Sequence, residues 1–375
     1  MKHTSTKTIA KAPGKLMIAG EWSVLTYGNP CVACAIDVYA EATIVPSKKW
    51  IIHAPDFGLY DIPFVFKEKA LSHSGVYTGT LSFVQYAAVM SISFLTQMGI
   101  EVTPCELLVH TDFPHVLVQG TKEKVGFGSS AAVTVSVVAS VLSHFSFDLT
   151  EGKNREIVLN LACVAHYLAQ GSAGSGYDIA TSTYGGLLAY TRFDALWLQE
   201  NLTKMSIIEL VNAEWPGLSV SKINVPNELI VLACFVGRHA STSQMLAAMN
   251  SFEKRSKRHY QSLMDSLALA TEKVILSLSQ NDQSALIQSI STYRDLLCEL
   301  QMQSQVELET PELTLLCDGA LEYGFAAKLS GAGGGDSGIA IGFEKKNVQK
   351  ITEAWRKNKL YPQDVALSLE GVSIV

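Results

Sequence analysis

The chain has too few basic residues to coat a polyanion and no apolar run long enough to cross a bilayer. Its 29 Lys and Arg are outnumbered by 35 Asp and Glu, for a net charge of −6. The basic footprint of a nucleic-acid protein is therefore missing, and an anionic ligand would have to be met by a few local cations. The longest apolar stretches, Tyr86–Ile100 and Ala131–His144, are broken by polar residues. They fall short of the roughly 20 residues of a membrane span and read as buried helices. Met1–Lys11 is polar and basic with no apolar segment behind it, which is not the pattern of a secretory leader.

Cysteine is scarce and scattered. There are seven, an odd number, and Cys31-x-x-Cys34 has no second pair at metal-site spacing. Both lie in an apolar, strand-like run and read as buried thiols, which suits a reduced, cytoplasmic setting. Several catalytic signatures are also absent: the G-x-x-x-x-G-K-[ST] phosphate loop, the protein-kinase set, H-E-x-x-H and G-x-S-x-G. Hydrolase and metalloprotease chemistry has little to stand on.

What is present is a globular composition, with 48% hydrophobic and 17% charged residues over 375 positions, enough for two domains. Thr8–Ser47 reads as strands around a Gly28-Asn29-Pro30 turn, the segment between Gly79 and Gly99 as a helix, and Glu106–Asp112 as a strand. Helices are expected over Ala131–Phe145 and Glu151–Gln170, then a strand over Leu187–Thr191. Arg192–Asn227 carries Trp197, Trp215, Pro216 and Pro226 with little periodicity, and the domain boundary is placed there, giving residues 1–200 and 201–375. The second half reads as strand Leu229–Val236, helices Ser243–Leu278, Gln283–Gln301 and Pro311–Tyr323, strands Ala326–Ser330 and Gly338–Phe343, helix Val348–Lys357 and a last strand near Val365–Val375. Without a long βαβ series, the class is α+β.

Four clusters carry the chemistry. Ala12-Pro13-Gly14-Lys15, with Gly20-Glu21 behind it, is a turn that ends with a lysine on a strand. Gly126-Phe127-Gly128-Ser129-Ser130 runs straight into a helix. Its glycines let backbone N–H groups approach a phosphate, the helix dipole favours negative charge, and a serine hydroxyl can ligate a metal; a serine at a helix start is equally a plain N-cap. Gly174-Ser175-Gly176-Tyr177-Asp178 sets an acid after a glycine loop, which alone is also a common cap. Lys328-Leu329-Ser330-Gly331-Ala332-Gly333-Gly334-Gly335-Asp336-Ser337-Gly338 holds more glycine than a hairpin needs, so close backbone approach to a ligand is the better explanation. Gly333-x-Gly335-x-x-Gly338 matches a dinucleotide fingerprint, but a strand follows where a helix is required. Glycine loops, one lysine and one acid together suit phosphoryl transfer, which needs mostly positioning and charge neutralisation.

In this order the clusters resemble the three signature motifs of the GHMP kinases, over nearly the whole chain. The resemblance implies a two-domain α+β fold: an N-terminal domain like ribosomal protein S5 domain 2 and a ferredoxin-like C-terminal domain. Finer features resemble the phosphomevalonate kinase branch. These are Lys124 ahead of the phosphate loop, Ala169-Gln170-Gly171 before Gly174-Ser175-Gly176-Tyr177-Asp178-Ile179-Ala180, Tyr184-Gly185-Gly186, Asp336 after three glycines, and Ala240-Ser241-Thr242-Ser243.

The resemblance implies ATP and magnesium as cofactors and a phosphorylated, mevalonate-type acid as acceptor. Lys15 and Asp178 would be catalytic. Gly126, Gly128, Ser129, Ser130, Ala131, Gly331, Gly333 and Gly334 would hold ATP, with Ser130 also on the metal. Lys124, Ser175, Arg238, Ser241, Thr242 and Asp336 would hold the acceptor, with Lys122, Arg192 and His239 further cationic candidates. Mevalonate kinases place a metal-binding Glu on the helix before the catalytic Asp. Here that stretch offers His166, Tyr167 and Gln170, so Gln170 or water would substitute, and His166 otherwise reads as a hydrogen-bonded core residue. A small-molecule partner, no nucleic acid, no membrane and a monomer or homodimer are expected. The rival readings are mevalonate kinase or another GHMP kinase and, in a different class, an inactive ligand sensor of the same fold.

Overall fold

The computed structural model describes residues 7–149, 152–172, 174–238 and 241–375, with the side chain of Thr242 outside the description. In chain order, β1 (Thr8–Ala19), β2 (Pro30–Pro46), β3 (Ile51–Ala54) and β4 (Leu59–Pro63) precede α1 (Ser82–Gln97). Then come β5 (Cys105–Thr111), β6 (His115–Val118), β7 (Thr121–Lys124), α2 (Ser129–His144), α3 (Gly152–Ala169), α4 (Tyr177–Tyr184) and β8 (Leu187–Thr191). Next are α5 (Ala195–Asn201), α6 (Ile207–Asn212), β9 (Ser219–Ile223), β10 (Ile230–Phe235), α7 (Thr242–Arg255), α8 (Lys257–Ser279), α9 (Gln283–Ser304) and α10 (Pro311–Leu321). The chain closes with β11 (Ala326–Leu329), β12 (Ser337–Gly342), α11 (Val348–Lys357), β13 (Tyr361–Gln363) and β14 (Ser373–Ile374).

Two main sheets organise these elements. The first has eight strands in the order β14-β1-β2-β5-β3-β4, with β8 on β2 and β9 on β8. Its pairings are antiparallel except for β3 beside β5. The apolar run Ala131–Leu142 is buried throughout, as a helix packed between a sheet and other helices requires. The second sheet runs β11-β12-β10-β13 and is antiparallel throughout. With helices between β10 and β11 and between β12 and β13, this is the ferredoxin-like order. The fold is the two-part α+β arrangement expected. β9 still belongs to the first sheet, and β14 returns to β1 at the far end of the chain.

Some readings need correction. Ser243–Leu278 is not one helix: α7 ends at Arg255, because the backbone of Ser256 (φ −143°, ψ 54°) leaves the helical region. Neither Gly nor Pro marks the break, which is why periodicity runs through it. Val365–Val375 is not one strand; only Ser373–Ile374 pairs with β1, and Leu367 makes a single bridge to Ile36. Arg192–Asn227, read as having little periodicity, holds α5, α6 and β9. Asp194 caps α5, and Ser206 with Glu209 forms a capping box on α6. All seven cysteines are free, and all but Cys298 are buried.

Candidate active site

The register of β1 against β2 shifts between Pro13 and Gly14. Pairing with β2 resumes at Gly14 in a shifted register, and the Lys15 amide donates to the Phe127 carbonyl at 2.9 Å. A Cβ at Gly14 would stand 2.8 Å from that same carbonyl oxygen, so glycine is required for the approach. The first cluster is thereby pressed onto the second. Gly128 caps α2 in the left-handed region (φ 79°). The stem of Lys15 lies over it, with two methylene carbons 2.9 Å from where a Cβ would be.

The loop from Gly126 to Ser130 leads into the N-terminus of α2, where the dipole favours an anion. Opposite it, Asp178 stands in the first turn of α4, one oxygen accepting from the Ile179 amide at 3.0 Å. The third loop closes the ring. Asp336 sits at φ 57° among glycines and its carboxylate accepts from the Gly126 amide at 3.3 Å. The two glycine loops are thus bonded to each other. The cavity between them is about 650 Å³ and is lined by Lys15, Ser129, Ser130, Asp178, Gly331 and Asp336, among others.

Burial opposes the charge on Lys15, but Tyr177, Asp178 and Asp336 outweigh it and hold the ammonium above its ordinary range. The surroundings therefore favour its charged form. Burial pushes the Tyr177 phenol up to about 12, so it stays neutral beside that cation. His166 is buried and its Nε2 lies 3.2 Å from the Ser130 hydroxyl. Burial holds it below its ordinary range despite the pull of Asp178, which leaves a neutral ring against the serine. Ser130, Asp178 and Asp336 are oxygen donors around one space, the set a hard divalent cation prefers. Among the described residues no three His, Cys, Asp or Glu side chains form a metal cage.

Of the residues singled out from sequence, Lys15, Gly126, Gly128, Ser129, Ser130, Ser175, Asp178, Gly331, Gly333 and Asp336 line this one cavity. Ala131 is fully buried behind it. Gly334 turns its amide to the Leu308 carbonyl at 2.7 Å. The Lys124 ammonium lies over the rings of Phe57 and Phe113, outside the lining. Arg238 pairs with Glu307 at 2.6 Å, and its carbonyl backs the third loop by accepting from the Asp336 amide. Ser241 caps α7, while its neighbour Ser243 reaches the cavity. The Thr242 side chain and His239 lie outside the described residues. Gln170, offered from sequence as a stand-in metal ligand, also lines the cavity, and polar or aromatic lining residues not assigned a role from sequence include Glu21, Trp22, Tyr177 and Ser330. All stand inside or beside the quoted clusters, but their partners come from distant parts of the chain.

Residues 84–186 match the family described as GHMP kinases N terminal domain, and residues 275–360 match GHMP kinases C terminal. The chain is 28% identical to the phosphomevalonate kinase of Streptomyces sp. (strain CL190), over 98% of this chain and all of that one. A crystal structure of a Listeria innocua protein superposes with a TM-score of 0.88 at 28% identity, covering 98% of this chain and 99% of the other. The Streptococcus pneumoniae phosphomevalonate kinase in complex with phosphomevalonate and AMPPNP superposes with a TM-score of 0.80 at 23% identity, covering 96% and 99%.

Proposed function

Because this chain belongs to the GHMP kinase family and is a phosphotransferase, we propose that it transfers the γ-phosphoryl group of ATP to (R)-5-phosphomevalonate, giving ADP and 5-diphosphomevalonate. The observation that carries the reading is the convergence of Lys15, Ser130, Asp178 and Gly331 on one cavity from four separate segments. The 28% identity to a phosphomevalonate kinase along the full length supports the choice of acceptor.

In this reading the amides of Gly126–Ser130 and the start of α2 cradle the ATP phosphates. A phosphate oxygen of the acceptor attacks the γ-phosphorus as the bond to the β,γ-bridging oxygen breaks, and ADP leaves. Lys15 stays protonated and neutralises charge between the acceptor and the transferred group. The second ionisation of a phosphate monoester lies near 6, so the attacking oxygen is largely ionised at neutral pH. Asp178 takes the proton where one remains and otherwise anchors the Lys15 ammonium beside the acceptor. Magnesium, held by Ser130 with help from Asp178 or the phosphates, would supply further neutralisation of the phosphate chain. Lys124, two residues ahead of the phosphate loop, is the cation we assign to the acceptor's own phosphate. Seven free thiols fit a reducing compartment, and we assign the enzyme to the cytoplasm.

A panel of acceptors with ATP tests the assignment. Phosphomevalonate is expected to exceed mevalonate, galactose and homoserine in kcat/KM by about a hundredfold or more, since a site built for a charged group rejects analogues that lack it. Preference for mevalonate would replace the acceptor. Tight ATP binding with transfer to none of the four would favour a ligand sensor.

A further inference from the structure

Glu21 and Lys328 form an ion pair whose side chains are both 0% exposed. The Lys328 ammonium bonds one Glu21 carboxylate oxygen and also donates to the Leu329 carbonyl at 2.6 Å. It lies 5.4 Å from the centre of the Tyr293 ring, and the Tyr293 hydroxyl donates to the Glu21 carbonyl at 3.0 Å. Burial raises the Glu21 carboxyl and lowers the Lys328 ammonium, each against the pull of the other. A pair so deeply desolvated is a poor source of stability; apolar residues of the same size often serve as well or better. Folding alone does not explain it.

Position does. Glu21 follows β1 and the first cluster, whereas Lys328 lies on β11, three residues before Gly331. The same seam carries further bonds. The Met17 amide donates to the Ser330 hydroxyl oxygen at 3.0 Å, and that hydroxyl donates back to the Met17 carbonyl at 3.0 Å. The Trp22 indole donates to the Ala332 carbonyl at 3.2 Å. The loop beyond has positive φ at Gly331, Gly333, Gly334, Gly335 and Asp336, a conformation with much freedom to lose. Apolar packing is non-directional and would let such a loop slide. An ion pair with a second bond from its ammonium to the backbone does not.

We infer that the Glu21–Lys328 pair is a positioning strut, which fixes the third glycine loop over the phosphate cavity and is needed for phosphoryl transfer more than for folding. This rests on the reading that the third loop faces the transferred phosphate. The discriminating variant is the near-isosteric double substitution Glu21→Met with Lys328→Met. Its denaturation midpoint should match or exceed that of the wild type. Its kcat should fall about a hundredfold, the usual loss for misplacement on the scale of 1 Å, with the acceptor KM much less changed. Amide exchange over residues 330–335 should quicken while that of α2 does not. Wild-type kcat and exchange in the double variant would overturn the strut, as would lost stability with unchanged turnover of the folded protein. Should the double variant fail to fold, Glu21→Gln decides: faster exchange over 330–335 supports the strut, and wild-type exchange refutes it. Exchange needs no acceptor, so it stays readable even if the acceptor proves to be another molecule.

Discussion

The loop at Gly126–Ser130 ends in a helix, whereas the loop at Gly331–Asp336 ends in a strand. The first therefore brings its own means of binding an anion, the positive end of α2. The second has no dipole behind it. Its shape is set from outside, by the Leu308 carbonyl on Gly334, the Arg238 carbonyl on Asp336 and the β1 seam on Ser330. A local change should damage the first loop, whereas changes far along the chain should damage the second. The two meet where the Gly126 amide bonds the Asp336 carboxylate.

The largest effect should come from a change that leaves both loops as they are. Asp178→Asn keeps the shape of α4 and removes the charge beside Lys15. Steady-state kinetics should show kcat lower by about a thousandfold, within the range for a lost acid–base group, with analogue binding nearly unchanged. Near-normal turnover would take Asp178 out of the chemistry and leave the loops to act alone.

The junction between the loops gives the next effect. A Cβ at Gly126 would stand 2.0 Å from an Asp336 oxygen, so Gly126→Ala must displace that carboxylate. Overpacking of this kind costs about 1–3 kcal/mol, and calorimetric titration should show nucleotide binding weakened by about tenfold. Asp336 already occupies φ 57°, where glycine is at ease. Adding Asp336→Gly should return the affinity to at least the wild-type level. A double variant as weak as the single one would mean that the loops are not coupled through this contact.

The smallest effect concerns the outer support of the third loop. Arg294 holds Glu309 through two bonds of 2.9 and 2.6 Å, next to the Leu308 carbonyl that bonds Gly334. Burial pushes the Glu309 carboxyl up, but the Arg294 guanidinium and Thr314 outweigh it and hold it below its ordinary 4.5. A carboxyl depressed in the fold stabilises above its unfolded value and loses that contribution as pH falls through the folded one. Denaturant midpoints should show Glu309→Gln less stable than the wild type at pH 7. The gap should close as pH falls below about 4.5, where the unfolded carboxyl takes up its proton. A gap independent of pH would assign the Arg294 contact to packing alone.

Legibility from sequence follows the same divide. The first loop can be read because its parts are neighbours: glycines, serines and an apolar helix in one run of residues. Lys15 and Asp178 are readable because each sits inside a short cluster. The third loop announces itself by glycine count, but what shapes it does not. Glu21 and Lys328 are 307 residues apart, and nothing in either neighbourhood names the other. His166 reads as a core histidine, and its contact with Ser130 joins α3 to α2 through space alone. Capping signals at Asp194, Ser206 and Glu209 are local and were available, yet the tryptophans and prolines around them mask the short helices they open.

The central claim is that loops from distant parts of the chain surround one triphosphate beside Lys15 and Asp178. A crystal structure with a non-hydrolysable ATP analogue tests it most directly. The γ-phosphate should lie against the Gly331–Asp336 loop and within about 3–3.5 Å of the Lys15 ammonium, the separation of groups poised to react. A triphosphate running along another surface, with the third loop untouched, would contradict the account.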